Sequence, residues 1–296
     1  MSNIISSPLI SDPVDVSHSE LKRLGRCSMA WYLKYVLRLQ PKQTKPAFIL
    51  GGTTHEALAW YYGPTTDPSF RTREFMEECL TAAYKERLSM DLRDPDQTVW
   101  KNLYRMLIGY WEHYDGVDWD LTDTEIDFKV PIFDDSDHLV GFIHGIFDGI
   151  WIHPKNQGVW IVDHKTAKRF RTAHLEFDPQ TDVYAVAGGK LFGERFKGLM
   201  FNMIRSKAAR SSPNYMRVPV IRSQTELRFL ELNIANKLKV MGQMSPDSIS
   251  CNFTRDCNWD CTFTDICRML RQGLPLKDFI AKNYSQRPYK PEDSYD

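Results

Sequence analysis

The amino-acid sequence predicts an α/β protein with a mixed central sheet flanked by helices, a helical N-terminal region and a cysteine-bound C-terminal segment. Apolar residues recur at helical spacing through roughly the first 115 residues. The texture then turns to alternating and β-branched runs in the order strand-strand-strand-helix-strand. Near the C-terminal end, four of the six cysteines fall within seventeen residues.

Ser17-His18-Ser19-Glu20 has the Ser-x-x-Glu form of a capping box and opens a helix with Leu21, Leu24 and Cys27 at helical spacing. Trp31, Tyr32 and Tyr35 continue a helix-compatible aromatic stretch. Further helices are expected over about 51–62, 71–90 and 96–114. Thr124–Ile132 alternates as a strand, with Ile126, Phe128, Val130 and Ile132 on one side. Leu139–Ile152 and Val159–Val162 read as strands joined by a turn at 153–158. A helix over 179–192 follows, then strands at 198–204 and 217–221. An amphipathic helix runs from Ser223 to Met241 with Leu227, Leu230, Ile234 and Leu238. From Tyr284, with Pro288 and Pro291, the tail reads as extended or mobile. With no repeat and no linker, residues 1–296 read as one domain: a mainly helical region at 17–115, a core at 119–245 and a cysteine segment at 249–270.

Hydrophobic residues make up 42% of the chain, with 8 Trp, 13 Tyr and 16 Phe, so a substantial core is expected rather than disorder. Lys plus Arg and Asp plus Glu balance at 38 each. That balance argues against bulk coating of nucleic acid and leaves room for a local basic groove. No apolar run approaches the roughly 20 residues of a membrane span. The first residues carry no basic flank and no apolar core of a secretory signal, which makes a cytoplasmic location the expectation.

Asp148 and Asp163 sit near the ends of two predicted strands joined by a hairpin, which brings both acids to one sheet edge. Lys165, two residues beyond Asp163, falls on the same strand face. Paired carboxylates suit hard Mg²⁺, which keeps several waters and takes its other ligands from phosphate. Such an ion polarises the phosphate and acidifies a water, and a lysine beside it orients that water or neutralises developing charge. The backbone carbonyl of His164 is a further candidate ligand. Each residue alone has an ordinary reading, Asp148 as a turn acid and His55 as a core histidine among them.

In this order the residues resemble a known family. Gly145-x-x-Asp148 followed by Asp163-x-Lys165 resembles the central motif of the PD-(D/E)XK nuclease superfamily, with aspartate where glutamate is commoner. Gln180-x-x-x-Tyr184 resembles the extra helix motif of its RecB-like branch, as does Gly52-Thr53-Thr54-His55. The resemblance implies a restriction-endonuclease-like core, His55 as an additional metal ligand, and Gln180 and Tyr184 on one helical face against the DNA strand.

Cys257-x₃-Cys261-x₅-Cys267 offers three thiolates suited to an iron–sulfur cluster or zinc, with a fourth ligand needed from elsewhere. Cys27 resembles the early cysteine of the iron–sulfur nucleases, including CRISPR-associated and AddB-type exonucleases. That resemblance implies a 4Fe–4S cluster on Cys27, Cys257, Cys261 and Cys267. Structural Zn²⁺ on Cys251 with the triplet is the alternative, and Cys79 reads as a buried apolar thiol. Lys165, Lys168, Arg169, Arg171, Arg205, Lys207 and Arg210 are candidate phosphate contacts. Phe170, Trp31, Tyr32 and Tyr35 are candidate stacking partners for unpaired bases.

The function expected is a deoxyribonuclease dependent on Mg²⁺ or Mn²⁺, acting as an exonuclease on single strands or DNA ends. Recombination, repair, phage DNA metabolism and CRISPR adaptation are compatible settings. The alternative is a non-catalytic module with a nuclease-like fold that grips DNA or a helicase. No Gly-x-x-x-x-Gly-Lys-Ser/Thr loop is present, so any unwinding requires a partner protein.

Overall fold

A computed structural model describes residues 13–42, 46–63, 67–89, 97–115, 121–209, 213–258 and 260–287; Arg210, Pro288 and Pro291 lie outside them. The first elements are β1 (Val14–Ser17), α1 (His18–Arg26), α2 (Ser28–Trp31) and β2 (Leu39–Pro41). Next come α3 (Pro46–Tyr61), α4 (Arg73–Ser89) and α5 (Thr98–Tyr114). The sheet-rich middle holds β3 (Leu121–Phe133), β4 (Leu139–Ile152), β5 (Val159–Ala167), α6 (Pro179–Phe192), β6 (Phe196–Arg205) and β7 (Tyr215–Val220). The chain closes with α7 (Gln224–Gly242), α8 (Thr264–Arg271), α9 (Lys277–Asn283) and β8 (Tyr284–Gln286). This is a mixed α/β fold with a central mixed sheet flanked by helices. It divides into two compact units, one from 1–43, 129–145 and 228–296, the other from 44–128 and 146–227.

In the first unit β1 lies parallel to the opening half of β4, from Val14 opposite Gly141 to Ser17 opposite His144. Only glycine fits at 141, because a Cβ there would run into the Val14 carbonyl oxygen. Ser17 caps α1 by accepting the Glu20 N–H at 3.2 Å. The Glu20 carboxylate in turn accepts the Trp31 indole N–H at 2.9 Å. Cys27 departs from the helical spacing expected of it: its backbone is extended (φ −166°, ψ 115°), α1 stops there and α2 begins beyond. A π-helical turn over Tyr32–Val36 follows. Trp31 and Tyr32 are 1% and 3% exposed, so they are core residues and present no face to a base. β2 pairs antiparallel with β8, so the tail from Tyr284 to Gln286 is a strand rather than a mobile end.

In the second unit β4 and β5 pair antiparallel from Gly149 opposite Val162 to Ile152 opposite Val159, across the expected turn. The second strand was expected to end at Asp163. Parallel pairing with β6 carries it on to Ala167, opposite Arg205, because hydrogen bonding to a neighbour sustains a strand that polar residues do not advertise. Side chains alternate across β5. Val162 joins Leu58, Leu80 and Leu107 in the core formed with α3, α4 and α5. Ile161 points the other way, to α6, where Gly188 lets the helix close on Ile161 and Phe196. Among the described residues no helix is long and apolar enough to cross a membrane.

Burial pushes the Glu20 carboxyl up to about 7, with the Trp31 hydrogen bond opposing. The folded chain therefore keeps a proton that the unfolded chain releases near the ordinary value of 4.5. This group's contribution is fully present below that pH and is lost as pH rises through about 7. Glu20→Gln is expected to match the parent at pH 4 and to exceed it at pH 8 by ~1–3 kcal/mol in urea unfolding. A difference independent of pH would refute this account.

Candidate active site

Four elements of the second unit deliver the charged residues. One pair beyond the Gly149–Val162 ladder rung, the Asp148 carboxylate on β4 accepts the backbone N–H of His164 at 2.6 Å. The same oxygen, Oδ2, faces Nδ1 of His55 on α3 at 3.2 Å. On β5, Lys165 Nζ lies 3.0 Å from Asp163 Oδ1 and 2.7 Å from Oδ2. It also donates to Gln180 Oε1 at 2.6 Å, while Gln180 Nε2 donates to Asp163 Oδ1 at 2.7 Å. Asp163, Lys165 and Gln180 thus close a three-membered ring of polar contacts.

α6 is set for this by its first turn. Asp178 caps it, accepting the Gln180 N–H at 2.9 Å, and Pro179 supplies a backbone angle already suited to a helix start. One turn on, Tyr184 is 4% exposed and donates to the Ile146 carbonyl at 2.7 Å, packed edge-on to Phe128 and Phe147. The phenol therefore anchors α6 to β4, and Gln180 reaches the acids.

His164 turns its ring to the opposite face of β5. It is 1% exposed, stacked on Tyr62 and edge-on to His55. Its Nδ1 meets the Asn202 amide nitrogen at 2.8 Å, which also reaches the Tyr110 hydroxyl at 3.1 Å; Tyr110 pairs with the Tyr62 hydroxyl at 3.0 Å. Burial lowers the His164 imidazole to about 4, so it is neutral at physiological pH.

The two acids are held differently. Burial disfavours charge on Asp148, but the charge and hydrogen bond of His55 outweigh it and hold the carboxyl well below the usual range. Burial lifts Asp163 to about 6, with Lys165 pulling down and Asp148 pushing up. Burial also opposes the charge on His55, yet Asp148 lifts it to about 9. Lys165 is raised too: Asp163 and Asp148 overcome its burial.

The donor set fits a hard divalent cation. Asp163 Oδ2 is buried and receives no hydrogen bond of good geometry, despite the nearby ammonium. Mg²⁺ needs only one or two carboxylates and retains waters. Among the described residues no three His, Cys, Asp or Glu side chains enclose a single metal position, so the protein offers a partial ligand set rather than a cage. The site opens on a cleft of about 740 Å³ lined by His55, Glu56, Trp60, Arg87, Glu125 and Lys165, among others. Glu56, Trp60, Arg87 and Glu125 carried no motif that would single them out in the sequence.

A model of the PD-(D/E)XK nuclease superfamily matches residues 15–268. The chain belongs to this superfamily. No curated protein matches it. Among solved structures, the PD-(D/E)XK chain is similar to a crystal structure from Eubacterium rectale described as a "putative exonuclease", at TM-score 0.53 and 14% identity, over 86% of this chain and 94% of that one. At that identity the likeness speaks for the fold.

Of the basic residues expected on the nuclease surface, Lys168, Arg169, Arg171 and Lys207 are exposed. Arg205 is instead 8% exposed, donates to the Pro213 and Lys168 carbonyls, and lies 4.8 Å from the centre of the Phe170 ring. Arginine and ring occupy each other.

In the first unit, Cys27, Cys251, Cys257, Cys261 and Cys267 line one cavity of about 220 Å³, and all five are free thiols. Cys251 and Cys267 sulfurs are 3.8 Å apart. Backbone N–H groups donate to three others: Asn252 to Cys27 at 3.4 Å, Thr254 to Cys257 at 3.4 Å and Phe263 to Cys261 at 3.5 Å. Burial, then Cys251, push the Cys267 thiol well up. A bound cation offsets such a cost of ionisation. Cys79 is buried in the second unit.

Asn202→Leu deletes the donor shared by His164 and Tyr110. It is expected to lower stability by ~1–3 kcal/mol, since buried partners are left unsatisfied. Urea unfolding checks this, and an unmoved midpoint at equal slope would count against the network.

Proposed function

We propose that this chain is a Mg²⁺- or Mn²⁺-dependent deoxyribonuclease of the RecB-like, iron–sulfur type, acting as an exonuclease on single strands or DNA ends. The observation that carries the reading is the Asp163–Lys165–Gln180 ring beside the Asp148–His55 pair at the mouth of a cleft. The description of the Eubacterium rectale protein agrees with exonuclease action.

Asp148 and Asp163 would hold the cation, with His55 as a further donor once its proton leaves, and the His164 carbonyl is a fourth candidate. When bound, the cation polarises the phosphate and acidifies a water. Lys165 stays an ammonium, because two carboxylates raise its affinity for the proton. It therefore acts as a charge and a donor toward the phosphate or the attacking water, not as a base. Gln180 fixes the direction of that ammonium through its 2.6 Å bond. Tyr184 positions Gln180 by pinning the helix that carries both.

In the first unit, Cys27, Cys257, Cys261 and Cys267 are the proposed ligands of a 4Fe–4S cluster. Backbone N–H groups aimed at three of these sulfurs support the assignment, since such bonds stabilise thiolate charge. Cys251, beside Cys267, is the competing ligand and belongs to the zinc alternative.

Asp163→Ala and Lys165→Ala are each expected to slow cleavage of end-labelled single-stranded DNA in Mg²⁺ or Mn²⁺ by ~10²-fold or more while binding persists. Parental rates in both would show the site to be misassigned. A parent that binds DNA or a helicase and never cuts would be the non-catalytic module. Anaerobically purified protein is expected to be brown, with iron and acid-labile sulfide that Cys27→Ser removes. Equimolar zinc without iron would overturn the cluster.

A further inference from the structure

The connection from β5 to α6 leaves the site just after Lys165 and returns to it at Gln180. Between Ala167 and Asp178 it holds Lys168, Arg169, Arg171 and His174, all exposed, against a single acid, Glu176. It ends on Phe177, whose side chain is 79% exposed, more than any other large apolar residue among the described ones. Phe177 stands three residues before Gln180, so its Cα lies within about 11 Å of the Cα of that glutamine. A lone apolar residue on a surface is ordinary. This one is set apart by its neighbours in the chain and by how its backbone is held.

The backbone is fixed on both sides of the ring. Ala173–Phe177 forms a short 3₁₀ turn. Leu175, 2% exposed, anchors it, and its N–H donates to the Thr172 carbonyl at 3.0 Å. Arg222, just beyond β7, donates to the Glu176 carbonyl. Directly after the ring, Asp178 caps α6 by accepting the Gln180 N–H. The chain is thus tied at 175, 176 and 178, while the side chain between them stays in water. Leaving it there forgoes the roughly 1.5–3 kcal/mol that full burial of a phenylalanine supplies.

We propose that Phe177 is the platform on which an unpaired base of the DNA strand stacks beside the scissile phosphate, with Lys168, Arg169 and Arg171 facing the neighbouring phosphates. The inference rests on the nuclease reading and deepens it by naming the residue that selects an open strand. Three cations and an apolar ring on one loop match a polyanion with flat apolar faces, which is single-stranded nucleic acid. In a duplex both faces of a base are covered by stacked neighbours, so the ring meets a base only where the strand is open. Every base has such a face, so selection is for strand state and not for sequence. Of the aromatics expected to stack, Trp31 and Tyr32 are buried and Arg205 lies over the Phe170 ring.

The test compares the parent with Phe177→Ala and Phe177→Trp. Affinity for labelled oligothymidine and for a blunt duplex is measured by anisotropy with Ca²⁺ in place of Mg²⁺, and KM for oligothymidine by cleavage in Mg²⁺. Single-strand affinity is expected to fall roughly 5- to 100-fold in Phe177→Ala, with KM rising in step, and to be kept in Phe177→Trp. Duplex affinity and the urea midpoint are expected to stay at the parent's values, since the ring is exposed. Walking one abasic site along the strand is expected to weaken the parent at a single position and to leave Phe177→Ala indifferent there. Equal single-strand affinity and KM in Phe177→Ala, or an equal loss on duplex, overturn the stacking inference, and the ring is then left as a face for a protein partner. In that case Asp163-dependent cleavage still upholds the nuclease reading. A parent that neither binds nor cuts DNA overturns both.

Discussion

Two carboxylates brought together inside a protein repel, and each also loses the hydration that favoured its charge. The site is stable because a cation stands against each of them: His55 against Asp148, Lys165 against Asp163. The compensation is unequal. Asp148 has an imidazolium and a backbone N–H on one oxygen, and stays ionised. For Asp163, burial and the charge of Asp148 outweigh what Lys165 returns, and its proton affinity rises. Paired acids pushed in opposite directions are a common mark of a reactive centre rather than of a scaffold.

That arrangement makes demands on every neighbouring element. The β4–β5 register must bring Asp148 level with the His164 amide, and the parallel β5–β6 pairing must hold β5 straight past Asp163. α3 must present His55 from one face of β5, and α6 must present Gln180 from the other. The Asp178 cap, the Tyr184 anchor and the Gly188 contact each serve the placement of α6. The Asn202–Tyr110–Tyr62 chain serves the buried His164 ring. Few residues meet at the two acids, and many hold the few.

The acids, the lysine and the hairpin between the strands were legible because strand alternation and the order of short motifs survive in a linear reading. Long elements such as α6 and β4 were legible for the same reason, since their periodicity runs over many residues. β1, β2 and β8 were not, because three or four residues cannot show a period; they exist through partners far away in the chain. Trp31, Tyr32 and Trp60 look alike in sequence, as aromatics in helical surroundings. Only packing separates the two that fill a core from the third, which is 39% exposed. Arg205 likewise reads as a free cation until its carbonyl partners are seen.

The first unit is woven from both ends of the chain and a short middle piece. Ser28 and Met29 bond the Ser250 carbonyl, and Cys27 shares its cavity with thiols that begin at Cys251. During synthesis at ~5–20 residues per second, the early segment therefore waits about 10–45 s before its complement leaves the ribosome. For that interval a lone cysteine is presented to the cell without the companions that would shelter it. Translation speed and oxidant level thus act together on Cys27 while this molecule is being made.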